Sequence, residues 1–143
     1  HVIYYSTSGK NSQVGYERVG FDELLTQSDI VSIHAPLDEN TRGLMNKEAF
    51  AKMKSSAILL NLGRGPIINE ADLADALEQG QIAAAGLDVL SVEPMQENNP
   101  LRQIKNSEKL LITPHIAWAS VEARTRLMEI ILGQIKDFFN EGQ

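Results

Sequence analysis

Five short apolar runs recur along the chain, at Val2–Tyr5, Asp29–His34, Ala57–Asn61, Ala83–Asp88 and Lys109–Thr113. Each has the length of a strand. Several are continuously apolar, as parallel strands are when helices cover both faces. Between them the apolar spacing becomes helical. Gly20 is placed to cap a short helix containing Leu24 and Leu25, with Glu23 at its third position. Asn46 is placed to cap Lys47–Met53, which sets Phe50 and Met53 on one face. Asn69 is placed to cap Glu70–Gln79, with Leu73, Ala76 and Leu77 inward and Gly80 as the stop. The longest helix is expected from Ser120 to Phe139, where Leu127, Ile130, Ile131, Ile135, Phe138 and Phe139 form a stripe that reads as core.

Alternating strands and helices predict an open, doubly wound α/β domain: a parallel sheet with right-handed crossovers. No internal repeat or low-complexity tract interrupts it. Leu90–Asn106 is the one long irregular stretch, and a loop of that length in a compact domain commonly carries function.

At 143 residues the chain is long enough for one domain with a core. Its formal net charge of −6, with no basic block, argues against a nucleic-acid or anionic-membrane surface. It has no cysteine, which excludes disulfides, thiolate metal sites and cysteine nucleophiles and fits a reducing, cytoplasmic compartment. No metal site is expected. No stretch approaches the roughly 20 apolar residues that span a bilayer, and none reads as a signal peptide. The chain opens on His1-Val2-Ile3-Tyr4-Tyr5, already strand-like and without a leading methionine, so an upstream part is expected to be missing.

In open α/β sheets ligands bind outside the carboxyl ends of the strands. The segments leaving the five strands are Ser6-Thr7-Ser8-Gly9-Lys10, then His34-Ala35-Pro36, then Gly63-Arg64-Gly65, then Asp88 followed by Glu93-Pro94, and last Thr113-Pro114-His115. Arg64, Glu93 and His115 thus fall at three exits on one edge of the sheet. Taken singly, each has a plainer reading. Arg64 is a surface arginine paired with Glu70, Glu93 is an ordinary loop carboxylate, and His115 is a core histidine bonded to a carbonyl. His34 is expected to lend its backbone rather than its ring.

Taken together they form a chemically complete set. Arg64 offers a planar, permanently charged fork for a carboxylate. Glu93 beside His115 would favour the imidazolium, which can donate a proton to a carbonyl oxygen and recover it in reverse. A carboxylate clamp with a proton relay suits reversible reduction of a 2-keto acid, with the hydride supplied by a cofactor because no side chain supplies one. Gly63-Arg64-Gly65-Pro66-Ile67-Ile68 begins like a dinucleotide fingerprint and fails it, since Ile68 stands at the third glycine and Pro66 lacks an N–H. The glycine-rich phosphate loop is expected upstream of His1.

The segments "DELLTQSDIVSIHAPLDENTRGLMN", "MKSSAILLNLGRGPIINEADLADALEQG", "AAAGLDVLSVEP", "NPL" and "LLITPHIA" follow one another in an order and spacing that resembles the D-isomer-specific 2-hydroxyacid dehydrogenase family. "TPHIAWASVEAR" resembles its glycerate dehydrogenase, or hydroxypyruvate reductase, branch. The resemblance implies a Rossmann-like domain over residues 1–119, lacking the glycine-rich loop, and a C-terminal helix over 120–143 that packs toward a missing substrate domain. It implies hydride transfer between NAD(P)H and a 2-keto or D-2-hydroxy acid, with hydroxypyruvate/D-glycerate favoured, and a homodimer. By the same resemblance Arg64 matches the substrate-carboxylate arginine, Glu93 the partner of the histidine, and His115 the acid/base. Ser6, Ala35, Pro36, Leu62, Gly63, Arg64, Asp88, His115, Ala117 and Trp118 match cofactor-lining positions.

One departure bears on the cofactor. NAD-preferring members usually carry an acidic residue after the second strand, whereas Tyr5 is followed by Ser6-Thr7-Ser8-Gly9-Lys10. Hydroxyls and a lysine can tolerate or bind the extra phosphate of NADP, while the glycerate dehydrogenase likeness favours NAD. The alternative to an enzyme is an NADH-sensing regulatory module on the same fold, without turnover. An isolated chain is expected to bind cofactor feebly and to turn over nothing.

Overall fold

The computed structural model describes residues 1–10 and 15–140. It divides into two compact units, His1–Thr113 and Pro114–Gln143. In the first unit the strands are β1 (Ile3–Tyr4), β2 (Glu17–Arg18), β3 (Ile30–Ile33), β4 (Ile58–Asn61), β5 (Ala84–Leu87) and β6 (Leu110–Ile112). The helices are α1 (Phe21–Gln27), α2 (Lys47–Lys52) and α3 (Glu70–Glu78), and the second unit holds α4 (Val121–Asn140). All five expected strands are present. The two-residue β2 has no apolar run of its own and was not foreseen.

Every pairing is parallel. β3, β4, β5 and β6 lie side by side in sequence order, with Ile30 opposite Ile58, Ile58 opposite Ala84 and Ala85 opposite Leu110. The fold is therefore parallel α/β and Rossmann-like, with α2 crossing from β3 to β4, α3 from β4 to β5, and an irregular segment with two 3-10 turns from β5 to β6. Val31, Ile33, Leu59, Ala85 and Leu87 are buried, and they share a core with Leu25, Phe50, Leu73 and Leu77 from the three helices. Burying one such side chain is worth about 1.5–3 kcal/mol. The alternate residues Ile30, Ile58 and Leu111 are exposed, so burial follows strand alternation more closely than the continuous apolar runs imply.

Two of the expected caps hold the helices as read. Asn46 Oδ1 accepts from the Ala49 N–H at 3.0 Å, and Asn69 Oδ1 accepts from Ala71 and Asp72 at 3.1 and 3.2 Å. Each contributes about 1 kcal/mol. Gly80 adopts φ +68 as the stop of α3. Gly20 precedes α1 without a side-chain cap. The α4 stripe departs from its reading as core. Leu127, Ile130, Ile131, Ile135, Phe138 and Phe139 are all exposed, because no second layer covers them within their own unit. Residues 141–143 of the expected C-terminal segment lie outside the described residues.

β1 and β2 form a separate parallel ribbon. Tyr4 turns its carbonyl to the Val19 N–H at 3.0 Å, so the backbone groups of Ile3 and Tyr5 point to the other edge. In β3, Ile33 accepts from Leu62 and Asp29 accepts from Ile58, which turns the backbone groups of Ile30 and Ser32 away from β4. These two free edges line the same cavity, of about 530 Å³. Among the described residues no helix is long and apolar enough to cross a membrane. Amide exchange, followed by two-dimensional NMR, is expected to be fast at Ile3, Tyr5, Ile30 and Ser32 and slow at Val31 and Ile33. Equal protection along β3 would show that its outer edge is paired.

Candidate functional site

The turn after β4 is built by a buried amide. Asn61 is fully buried at the strand's end, an unusual place for a polar side chain. Its Nδ2 donates to the Arg64 carbonyl at 3.0 Å and its Oδ1 accepts from the Gly63 N–H at 3.1 Å. One side chain thus closes both ends of Leu62-Gly63-Arg64. A single turn of 3-10 helix, Gly65–Ile67, follows at once. The guanidinium of Arg64 is exposed and its Nη1 lies 2.8 Å from the Gly63 carbonyl oxygen.

Neighbouring turns crowd this one. A Cβ on Gly63 would stand 3.0 Å from the Ala35 carbonyl oxygen, and one on Gly65 only 1.9 Å from the Leu90 carbonyl carbon. The exits of β3, β4 and β5 therefore approach backbone to backbone, and at Gly65 only glycine permits it. The segment after β3 is braced by Thr41, fully buried, whose hydroxyl donates to the Pro36 carbonyl at 2.7 Å and accepts from the Asp38 N–H at 2.8 Å. The ring of His34 bonds Ser32 Oγ at 2.8 Å. Leu62 and Pro36 are exposed beside these turns.

The segment after β5 is tied to α3. Glu70, in the first turn of that helix, accepts from the Ser91 N–H at 2.7 Å and from Asn99 Nδ2 at 2.8 Å. That carboxylate is thus engaged by the loop, and no ion pair with Arg64 forms. Glu93 is exposed and accepts from the Leu90 N–H at 2.9 Å, so the loop carrying it contacts the turn carrying Arg64. Asp88 is buried and accepts from the Thr113 hydroxyl at 2.5 Å.

His115, Ala117 and Trp118 belong to the second unit. His115 is exposed and takes φ +54, a conformation uncommon outside glycine. Its carbonyl accepts from Trp118 Nε1 at 2.7 Å. The turns of Arg64 and Glu93 are thus brought together within the first unit, and His115 is presented by the turn that opens the second.

Ser6 carries an orphaned hydroxyl at the exit of β1. Its Oγ is buried and has no hydrogen-bond partner, in the cavity also lined by Thr7, His34, Ala35 and Pro36. A buried hydroxyl left unpaired costs about 1–3 kcal/mol, and a hydroxyl-rich ligand in that cavity would satisfy it. The residues present therefore fit a dinucleotide's ribose. Among the described residues no group of three His, Asp or Glu is arranged to hold a metal ion.

A parallel α/β sheet with its polar turns gathered at the strand exits is the architecture of a dinucleotide-binding protein. The family model described as D-isomer specific 2-hydroxyacid dehydrogenase, NAD binding domain, matches residues 1–117, and the chain belongs to that family. It is 52% identical over 120 residues to a hydroxypyruvate reductase of Blautia hydrogenotrophica, covering 84% of this chain and 36% of that protein. It is 42% identical over 119 residues to a glycerate dehydrogenase of Methylorubrum extorquens, covering 83% of this chain and 36% of that protein. A solved acyclic imino acid reductase in complex with NADPH and D-Arg aligns with a TM-score of 0.85 at 32% identity, over 98% of this chain and 43% of that one. The chain thus spans little more than a third of the length of the curated relatives named here. Its cofactor class is the nicotinamide dinucleotides, represented by NAD in the family description and by NADPH in the solved neighbour.

Replacing Gly65 by alanine is expected to destabilise the chain by about 2 kcal/mol or more, because backbone must move to admit the methyl group. Urea denaturation checks this, and an unchanged midpoint would show that the Leu90 segment is free to yield.

Proposed function

We propose that this chain is the cofactor-binding part of a longer oxidoreductase that transfers a hydride between NAD(P)H and a 2-keto acid, with hydroxypyruvate and D-glycerate as the pair. The observation that carries this reading is the Asn61-clamped turn, which fixes the backbone that bears the exposed Arg64 side chain, next to the segment that leads to Glu93. The likeness to a hydroxypyruvate reductase and a glycerate dehydrogenase supports the choice of substrate.

In this mechanism Arg64 grips the substrate carboxylate through paired N–H groups, which orients the keto carbon. His115, as imidazolium, donates its proton to the carbonyl oxygen as that oxygen gains charge. Glu93 takes the role of partner carboxylate to the histidine in this reading, by the family resemblance. A nicotinamide dinucleotide held at these turns would supply the hydride chemistry, which no side chain of the chain provides. In the reverse direction the neutral ring of His115 accepts the hydroxyl proton. Ser6, Ala35, Pro36, Leu62, Gly63, Asp88, Ala117 and Trp118 line the cofactor in this reading, and Asn61 positions Arg64.

Residues 1–119 form the dinucleotide-binding part and 120–143 an arm whose apolar stripe is covered by the substrate domain. Leaving that stripe in water forgoes about 25 cal/mol per Å², so the chain alone binds cofactor weakly and has no turnover. The intact enzyme is read as a cytoplasmic homodimer, and family resemblance is what supports that reading.

In a longer polypeptide carrying this chain, Arg64→Ala is expected to raise KM for the keto acid about 10- to 100-fold, the worth of charged hydrogen bonds. His115→Ala is expected to lower kcat roughly 10²- to 10⁴-fold. Steady-state kinetics with hydroxypyruvate check both. Normal kinetics in either variant would overturn that residue's role, and NADH binding without turnover in the parent would favour a regulatory module.

A further inference from the structure

Of the connections between β3 and β6, the one from β5 to β6 carries no α-helix, so its backbone groups need partners outside the segment. Helix α3 supplies several. At the start of that helix Glu70 accepts from the Ser91 N–H at 2.7 Å through one carboxylate oxygen and from Asn99 Nδ2 at 2.8 Å through the other. At its end Glu78 accepts from the Lys105 N–H at 2.7 Å, and the Leu77 carbonyl accepts from Lys109 Nζ at 2.8 Å. The irregular segment is thus laid along α3 as along a splint. The two acids differ in what they hold. Glu78 is exposed and holds the far part of the segment. Glu70 is half-buried and closes both ends of the stretch from Ser91 to Asn99, which carries Glu93.

Glu70 also belongs to the stretch that bears Arg64. The arginine turn runs through Gly65–Ile67 to the cap Asn69 and then to Glu70. This one stretch grips the Leu90–Ser91 peptide twice. A Cβ on Gly65 would lie 1.9 Å from the Leu90 carbonyl carbon and 2.4 Å from the Ser91 nitrogen, and Glu70 takes the N–H of that same nitrogen. Close approach alone lets a peptide slide along a turn. A charge-assisted hydrogen bond to one N–H fixes where it rests. The N–H of Leu90 is taken by Glu93 itself at 2.9 Å, so Glu93 folds back onto the anchored peptide. At the other end Asn99 is buried and its orientation is set. Its Oδ1 accepts from the Leu101 N–H at 2.9 Å, which leaves Nδ2 to face Glu70.

We propose that Glu70 is a positioning residue, which sets where the Glu93 loop rests on the Arg64 turn and so tunes turnover. The placement stands on the hydrogen bonds alone, and its effect on turnover rests on the hydride-transfer reading above. The Arg64 turn is closed by Asn61 and does not need Glu70. Loss of the Glu70 carboxylate therefore shifts the Glu93 loop and leaves the carboxylate clamp as it was. Misplacement by about 1 Å can cost on the order of 100-fold in rate. The cost falls on kcat, and KM for the keto acid is kept.

The test has two arms. In the ¹⁵N-labelled chain, Glu70→Gln is expected to move the amide signals of Leu90, Ser91 and Glu93 and to speed Ser91 exchange roughly tenfold, since a neutral acceptor replaces a charged one. The Gly63 amide, held by Asn61, is expected to stay. The new amide also sets a donor against Asn99 Nδ2, which cannot turn over without losing Leu101. Adding Asn99→Asp reverses donor and acceptor at that contact with no change in net charge, and is expected to restore the signals in large part. In a longer polypeptide carrying this chain, assayed with hydroxypyruvate and NADH, Glu70→Gln is expected to lower kcat per folded protein about 10-fold or more, with KM within about threefold. Glu78→Gln, a stitch at the far end of α3, is expected to leave both within about twofold. The paired Glu70→Gln, Asn99→Asp variant is expected to regain most of kcat. A Ser91 amide indifferent to Glu70→Gln would overturn the placement. Equal kcat in Glu70→Gln and Glu78→Gln, or no recovery in the paired variant, would overturn the positioning role. A parent polypeptide without turnover would overturn the hydride-transfer reading and the kinetic half of this proposal, while the amide signals still decide the placement.

Discussion

The site depends on a contact that leaves no room for a side chain. Gly65 sits so close to the Leu90 carbonyl that even a methyl group would overlap it, and a methyl group on Gly63 would press on the Ala35 carbonyl oxygen. These approaches turn three separate strand exits into one packed surface. Asn61 supplies the complementary bond, since a fully buried amide at the end of an apolar strand is stable only when its donor and acceptor are both engaged. It meets that demand with the backbone on either side of the arginine turn. The cationic group therefore owes its position to backbone geometry, and its side chain stays exposed and available.

A second layer of restraint comes from polar side chains that do no chemistry. Thr41 and Asp38 fold the segment after β3 onto itself, and Glu70 ties the segment after β5 to the start of α3. Each spends a polar group on loop backbone, the means by which irregular segments satisfy their N–H and C=O groups without a ladder. Loops bearing chemistry on a rigid scaffold need this kind of bracing.

Much of this architecture was legible in the residues. Asn46 and Asn69 announce their helices because a short amide side chain satisfies N–H groups that the first turn leaves unpaired. The β3, β4 and β5 strands are apolar enough to be seen, and the Arg64 and Glu93 turns follow them at the expected places. Other features depend on distance in space and escape a linear reading. β2 is two exposed residues, Glu17 and Arg18, and exists as a strand only because Ile3 and Tyr4 lie beside it. Asn61 looked like the end of an apolar run, and the only available sign was a polar residue where another aliphatic was due. Glu70 stood as a candidate partner for Arg64 because the two are close in sequence, while its actual partners, Ser91 and Asn99, are 21 and 29 residues away. The stripe on α4 has the spacing of a core face, and spacing alone does not say which layer is present to cover it.

The ribbon of β1 and β2 shares no ladder bonds with the four-stranded sheet, and aromatic packing of Tyr5 on Phe21, with centroids 5.3 Å apart, joins it to α1. The turns of Ala35, Arg64 and Asp88 rest on long parallel ladders, whereas the Ser6–Lys10 turn rests on two residue pairs. The two ends of an extended ligand would therefore meet supports of unequal stiffness. Changes in packing beneath Tyr5 are therefore felt in the Ser6–Lys10 turn before they reach the turns of Ala35, Arg64 and Asp88.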